Sequence, residues 1–449
     1  MSYHFTPREI SLHDEWDVIV MGGGPAGVAA SVAAAREGKK TLLLEATGAL
    51  GGMSTMGMVP TWCPFSDKEK IIYRGIGERI LMEGKKFTPH VPKEKIDWVP
   101  IQYENLKVIY DDLMEEFGVK VIFNTVLSAV DASDGRVNAL IVTNKAGLSA
   151  YSAKVYIDCT GDADLAYFAG AETVKGEESD ATALQPSTHC FTLGNVDMEK
   201  YKKGPWLHTF NERSPIYPII ADPEFPHITD AHICIDVTLG PGTVGFNAGH
   251  INELDATDPE AVSAALMLGR KKAHEMLAGM KKYHPEGAFD KAYVQNTAPL
   301  MGIRESRRVV CDYKLTIDDY MKRRTFPDEI ARNCYYIDLH RSEEQHAAAA
   351  ASGDDVGDNL YQHYEKGESH GIPYGCLAVK GFTNMLVAGR TIWCDRRLQA
   401  SVRVMPNCFT TGEAAGIAAS LAIDGTNDIH TISTDALREK LLSHGAYFH

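Results

Sequence analysis

The sequence predicts an α/β protein: a parallel sheet carrying a β-meander, with an inserted α+β domain built on a mainly antiparallel sheet. Three observations carry this reading. The first is DVIVMGGGPAGVAASVAAAREGKKTLLLEA, Asp17 to Ala46, in which an apolar run, a glycine loop, an alanine-rich run and a second apolar run follow one another. The second is a row of short valine- and isoleucine-rich runs between Lys120 and Asp158, broken by turn signals at Ser133-Asp134-Gly135 and Lys145-Ala146-Gly147. The third is a buried-strand pattern at Met385–Gly389 and a small-residue helix pattern at Gly412–Ala422, near the C-terminus. Residues 1–173 and 376–449 therefore read as two parts of one domain, and 174–375 as the insertion.

In the first stretch, DVIVM reads as a strand buried on both faces. Pro25 is tolerated in a helical first turn, and Gly38 is placed to end the helix. Gly22, Gly24 and Gly27 stand in G-x-G-x-x-G register. Gly22 allows the tight turn, Gly24 lets the backbone approach a pyrophosphate, and Gly27 lets helix and strand pack closely. The helix N-terminus offers free N–H groups to phosphate, and Glu45 falls where an acid binds ribose hydroxyls and repels a 2′-phosphate. Strand, helix, strand and acid in this order make a Rossmann-like dinucleotide site. GPGTVG, Gly240 to Gly245, matches the same pattern but sits between two strand-like runs, so it reads as a hairpin turn.

Beyond Glu45 and Ala46, the residues Gly51, Gly52, Met53 and Ser54 suggest a loop whose N–H groups and hydroxyl face another part of the ligand. In VYIDCTGDADLA a strand passes through Thr160, Gly161 and Asp162 into a helix. In the insertion, STHCFTLGNVD and HICIDVTLGPGTVGFNAGHI read as strands. A long helix follows, with Asp258 as its cap and Pro259 opening it. The segment 346–359 reads as a surface loop.

These segments together resemble the FAD-dependent oxidoreductases of the glutathione-reductase-like two-domain plan. More loosely they resemble fumarate-reductase-like and tRNA-modifying flavoproteins. The residues carrying the resemblance are the three glycines, Glu45, Gly51-Gly52-Met53, DCTGDAD (158–164), GIRESRRVV (302–310), IPYGCL (372–377), VAGR (387–390) and SVRVMPNCFTTGEAAG (401–416). The resemblance implies FAD rather than NAD, with Gly22, Gly24, Pro25, Ala26, Gly27 and Glu45 around the ADP half. It also implies that Gly389, Arg390, Met405 and Asn407 lie toward the flavin, with Asn407 a hydrogen-bond donor. A helix starting near Pro406 and aimed at the flavin would stabilise the negative charge of the reduced ring. Cys159 departs from the family's usual small alanine.

Four polar clusters compete for the chemistry. RESRR (304–308) reads either as a solvated surface, with Glu305 and Arg308 paired, or as a part-buried site where Arg304 anchors an anionic or polyhydroxylated substrate. YYIDLH (335–340) alternates, which places Asp338 and His340 on one strand face, with His340 the first choice as base or a structural histidine. His370 and Tyr374 stand near the return to the first domain, and Arg396, Arg397 and Arg403 precede the last helix, Arg403 being the credible site residue. No HExxH or similar set appears, so no metal site is expected.

The composition narrows the class. Nine scattered cysteines, with no CxxC pair, fit a reducing cytoplasm better than a disulfide framework or an iron–sulfur cluster. A net charge of -15 argues against nucleic-acid or membrane partners. No apolar run approaches the roughly 18–20 residues a bilayer requires, and no secretory signal is expected. The leading reading is an FAD enzyme acting on a small-molecule substrate by hydride transfer, with an unidentified electron donor or acceptor. A flavin-containing electron-transfer subunit and an RNA-modifying flavoprotein are the alternatives, and a homo-oligomer is left open.

Overall fold

The first sheet begins with β1 (Ser11–Met21), α1 (Pro25–Arg36) and β2 (Thr41–Leu44), then β3 (Lys120–Ile122), β4 (Val126–Ser133), β5 (Arg136–Asn144) and β6 (Gly147–Asp158). A computed structural model describes residues 9–177, 180–340 and 363–448, so the segment 346–359 lies outside the described residues. Strand order is β3-β2-β1-β6-β5-β4. The neighbours β3, β2, β1 and β6 run parallel, whereas β6, β5 and β4 form the antiparallel meander. The switch occurs within β6: its first half pairs with β5, while Val155–Asp158 lie fully buried beside Val18–Met21. Those buried ends are the continuous apolar runs of a sheet covered on both faces.

The second sheet contains β7 (Phe191–Gly194), β8 (Ile233–Gly240), β9 (Thr243–Ala248) and β10 (Tyr293–Thr297) in the order β8-β9-β7-β10, all antiparallel. Gly240 pairs with Thr243, so Pro241-Gly242 is a two-residue hairpin turn, with Gly242 at φ +65°. The second glycine motif is thus no nucleotide loop. The helix α2 (Pro259–Tyr283) packs on this sheet's core, and the Asp258 carboxylate accepts from the N–H groups of Glu260 and Ala261 at 2.9 and 3.3 Å.

Inside β8, Asp236 accepts a hydrogen bond from the Tyr201 hydroxyl at 2.5 Å, while its Oδ1 is buried without a partner. Burial pushes this carboxyl up to about 6. The native chain therefore holds the proton more tightly than the unfolded chain, and stability falls as pH rises from about 4 to about 6. Asp236→Asn is expected to gain about 2 kcal/mol at pH 8 and nothing below pH ~4. Urea unfolding at both pH values checks this; equal stability of the two proteins at pH 8 would contradict it.

The strand Glu329–Asn333 pairs with His370–Pro373. The alternation in Tyr335–His340 predicts a strand, but residues 334–340 form none. Asn333 is tied by the Tyr73 hydroxyl and donates to Ser401 Oγ, and Ser401 Oγ in turn donates to the Tyr335 carbonyl. A side chain thus satisfies backbone that a neighbouring strand would otherwise pair.

The chain then returns to the first sheet. β11 (Met385–Val387) lies parallel to β6, with Val387 opposite Asp158. Its follower α3 (Met405–Asp424) crosses α1 at the small faces of both helices. The Rossmann-like sheet is therefore assembled from segments more than two hundred residues apart in sequence.

Candidate active site

One cavity of about 1420 Å³ joins the glycine loop to Arg304, Asp338, His340 and Arg403. Gly22, Gly24, Pro25, Ala26, Glu45, Ala46, Gly52, Met53, Thr160, Gly161, Asp162, Gly389, Arg390 and Met405 line it. Gly27, Gly51, Ser54 and Asn407 do not, and each has a packing reason. A Cβ on Gly27 would fall 1.8 Å from the Gly22 carbonyl oxygen, so Gly27 sets the closeness of helix and loop. Gly51, at φ +105°, donates its N–H to the Gly23 carbonyl at 2.7 Å. The Ser54 hydroxyl donates to the Gly51 carbonyl at 2.8 Å and lies 2.9 Å from the Tyr110 hydroxyl, so it braces the loop from behind. Asn407 is fully buried and spends its Nδ2 on the Val402 carbonyl at 2.7 Å. It caps the preceding turn with that bond.

The geometry fits a dinucleotide. A Cβ on Gly24 would meet no protein atom within 4 Å, so open space lies directly against the backbone at the N-terminus of α1. Glu45 is held at the end of β2, where Oε2 accepts from the Gly23 N–H and Oε1 from the Thr47 N–H and hydroxyl, all at 2.7 Å. Asp158, fully buried, shapes the next turn by accepting from the Thr160 N–H and hydroxyl and the Ala166 N–H. Arg390 clamps that turn from the far side, donating to the Gly161 carbonyl at 2.5 Å and to Asp162 at 2.8 Å. Gly24 has φ -68° and ψ -175°, a conformation alanine adopts freely. Gly24→Ala is expected to melt like the wild type and to bind FAD at least tenfold more weakly. Flavin retention at the wild-type level would remove Gly24 from the phosphate approach.

At the other end, Arg304 is only 7% exposed and donates to the Pro186 carbonyl at 2.6 Å and to Thr188 Oγ1 at 2.9 Å. The Glu305–Arg308 pair forms at 2.9 Å, but inside the protein, where Arg396 joins Glu305 at 3.1 Å. Within RESRR, Glu305 thus anchors a buried ion network, Arg307 pairs with Asp164 at 3.0 Å, and Arg304 faces the cavity. His370 and Tyr374 are buried away from the cavity; the Tyr374 hydroxyl donates to the Ile429 carbonyl at 2.8 Å.

Arg403 donates to Asp338 Oδ2 at 3.1 Å and to the Asp338 carbonyl at 3.0 Å, and the Tyr335 hydroxyl adds a second bond to that carboxylate at 3.2 Å. His340 Nε2 lies 3.4 Å from Asp338 Oδ1, and its Nδ1 lies 3.0 Å from His250 Nε2. Burial acts to raise the Asp338 pKa, yet His340, Arg403 and Arg304 together hold it well below the usual carboxylate range. Burial, reinforced by Arg304, pushes His340 down to about 4. Asp338 is thus ionised and His340 neutral. Both ring nitrogens of His340 thus face partners, Asp338 on one side and His250 on the other.

His232 and His250 also line this end, and sequence reading missed them. They flank the β8–β9 hairpin at nearly equal distances from its turn, which stacks their rings with centroids 3.6 Å apart. Counting residues outward from Pro241-Gly242 would have placed them within one position of each other. With His340 they form a group of three potential metal ligands that no linear motif announces.

A glycine loop, a strand-end acid and a cavity leading from them to a buried ionic cluster define a dinucleotide-dependent redox protein. A family model described as FAD dependent oxidoreductase matches residues 17–441, and the chain belongs to that family, with FAD as its cofactor. Ferredoxin–NADP reductase 2 of Sulfolobus acidocaldarius is 30% identical over 110 residues, 24% of this chain and 33% of the reductase. The mitochondrial dihydrolipoyl dehydrogenase of Pisum sativum is 47% identical over 65 residues, 14% of this chain and 13% of the dehydrogenase. The chain thus spans a third or less of the length of these curated relatives. A geranylgeranyl-bacteriochlorophyll-reductase-like structure from Thermoplasma acidophilum overlays with a TM-score of 0.45 at 13% identity, covering 96% of this chain and 83% of that one. Among the described residues no helix is long and apolar enough to cross a membrane.

Proposed function

We propose that this FAD-dependent oxidoreductase, built on the glutathione-reductase-like plan, exchanges a hydride between a carbon of a small organic substrate and flavin N5. The observation that carries the reading is the single cavity running from Gly24 to Asp338 and Arg403. When bound, the flavin supplies a two-electron acceptor or donor. The rest belongs to the chain.

Arg304 and Arg403 bring two cations to the substrate end, and Arg403 Nε is buried without a partner. A carboxylate or a cluster of hydroxyls on the substrate would satisfy that donor. Asp338 accepts the proton that leaves a substrate oxygen, and His340 and Arg403 hold the carboxylate in place. Both members of the pair are unprotonated at neutral pH, so an acceptor is ready before substrate arrives. The start of α3 reaches the cavity through Val404, Met405 and Cys408, where its positive end would stabilise negative charge on a bound flavin. Nine free cysteines, most of them buried, favour a cytoplasmic setting.

Steady-state turnover with a dye as electron acceptor tests the reading. Oxidation of a hydroxy acid or sugar acid without any other protein is expected. Dye reduction that requires an added electron-carrying protein would overturn it in favour of an electron-transfer subunit.

A further inference from the structure

We infer that His232, His250 and His340 form a binding site for one divalent transition-metal ion at the substrate end of the cavity. The site stands on the histidines alone; the role given to the ion below rests on the proposed function.

One nitrogen from each ring lies within 4.8 Å of the other two, and His250 Nε2 and His340 Nδ1 are 3.0 Å apart. Nitrogens bound at about 2.0–2.1 Å around one tetrahedral ion stand roughly 3.3 Å apart. Two of the three are therefore near ligand spacing, and His232 reaches it by tilting off its stack on His250. His232 is also the ring with most reason to move. It is 7% exposed, lines the cavity, and neither of its nitrogens has a hydrogen-bond partner. Burying two unpaired polar atoms is costly, and a bound ion would satisfy one of them.

The other nitrogens of the remaining two rings point toward carboxylates. His340 Nε2 faces Asp338 Oδ1 at 3.4 Å, and His250 Nδ1 faces Asp230 Oδ1 at 3.9 Å. A carboxylate behind a ligating imidazole orients the ring and strengthens it as a ligand. These two anions face three cations: Arg403 is bound to Asp338, and Arg304 is turned to Pro186 and Thr188. Lys272, the third cation at the cluster, lies near Asp230.

Three neutral nitrogens without a thiolate select zinc, cobalt, nickel or ferrous iron over magnesium or calcium. Three protein ligands leave a position open, as catalytic metal sites do. Because all three histidines line the cavity, that position takes a substrate oxygen, which the ion anchors and polarises next to Asp338.

The test uses the full flavin-loaded chain, stripped with a chelator, incubated with a small excess of Zn²⁺ and desalted, with zinc and flavin measured on the same sample. About one zinc per chain is expected. His232→Ala and His250→Ala should each bind at least tenfold less while keeping wild-type flavin, which reports an intact fold. His208→Ala, which alters the same cavity outside the cluster, should keep its zinc. Co²⁺ in place of Zn²⁺ should give a tetrahedral visible band beyond the flavin absorption, lost in His232→Ala. No zinc on the wild type, or equal zinc on His232→Ala, overturns the proposal. Zinc binding by a protein that takes up no flavin would overturn the cofactor reading and leave the metal site standing.

Discussion

Gly412→Ala is expected to destabilise the chain by about 3 kcal/mol or more and to abolish flavin retention. A Cβ at Gly412 would fall 2.2 Å from the Ala26 carbonyl oxygen, and one at Gly416 would fall 2.3 Å from that of Ala30. The obstacle in each case is backbone of α1, which cannot rotate aside as a side chain can. Relief requires α1 and α3 to separate, and their contact is locked by Glu413, which accepts from Arg36 at 2.7 Å and from the Ile76 N–H at 3.0 Å. Overpacking a core costs about 1–3 kcal/mol when side chains can adjust, and more here. The damage also reaches the cofactor, because Ala26 lies at the start of α1, against the glycine loop. Urea unfolding and flavin content measure both effects. A variant with wild-type stability would show that the two helices do not cross as closely as described.

Asp338→Asn is expected to slow flavin reduction by substrate by about 10²- to 10⁴-fold while leaving flavin content and the oxidised spectrum unchanged. The amide keeps the size of the carboxylate and can still accept from Arg403 and Tyr335. It cannot take a proton from a substrate oxygen. The loss should fall on the rate at saturating substrate more than on KM, since Arg304 and Arg403 remain to bind. A rise in KM with an unchanged maximal rate would make Asp338 a positioning residue and leave the proton acceptor elsewhere.

How far the sequence could be read depended on the distance over which each feature is encoded. The β1-α1-β2 unit, the meander, the hairpin at Pro241-Gly242 and the capped start of α2 are local: a turn residue or a period identifies each within a dozen positions. The polar end of the cavity is not local. Arg304, Asp338, His340 and Arg403 stood out singly, but the ionic contacts joining Asp338 to His340 and Arg403 appear only in three dimensions. His232 and His250 meet because of a hairpin register, and His340 joins them from ninety residues away. Tyr335–His340 alternates without a neighbour to pair it, so the predicted strand does not form. The side chains of Asn407 and Ser54, outside the cavity lining, reach Val402, and Gly51 and Tyr110, contacts that no local pattern announces. RESRR left surface and partial burial both open because charge is usually solvated, and Glu305 finds two arginines and stays buried.

The most direct test of the central claim is anaerobic mixing of the flavin-loaded chain with a panel of small hydroxy acids and sugar acids while the flavin absorbance is followed. The account predicts that at least one compound bleaches the flavin completely, with no other protein present. A flavin that no such compound bleaches, but that a reduced electron-carrier protein reduces at once, would contradict it.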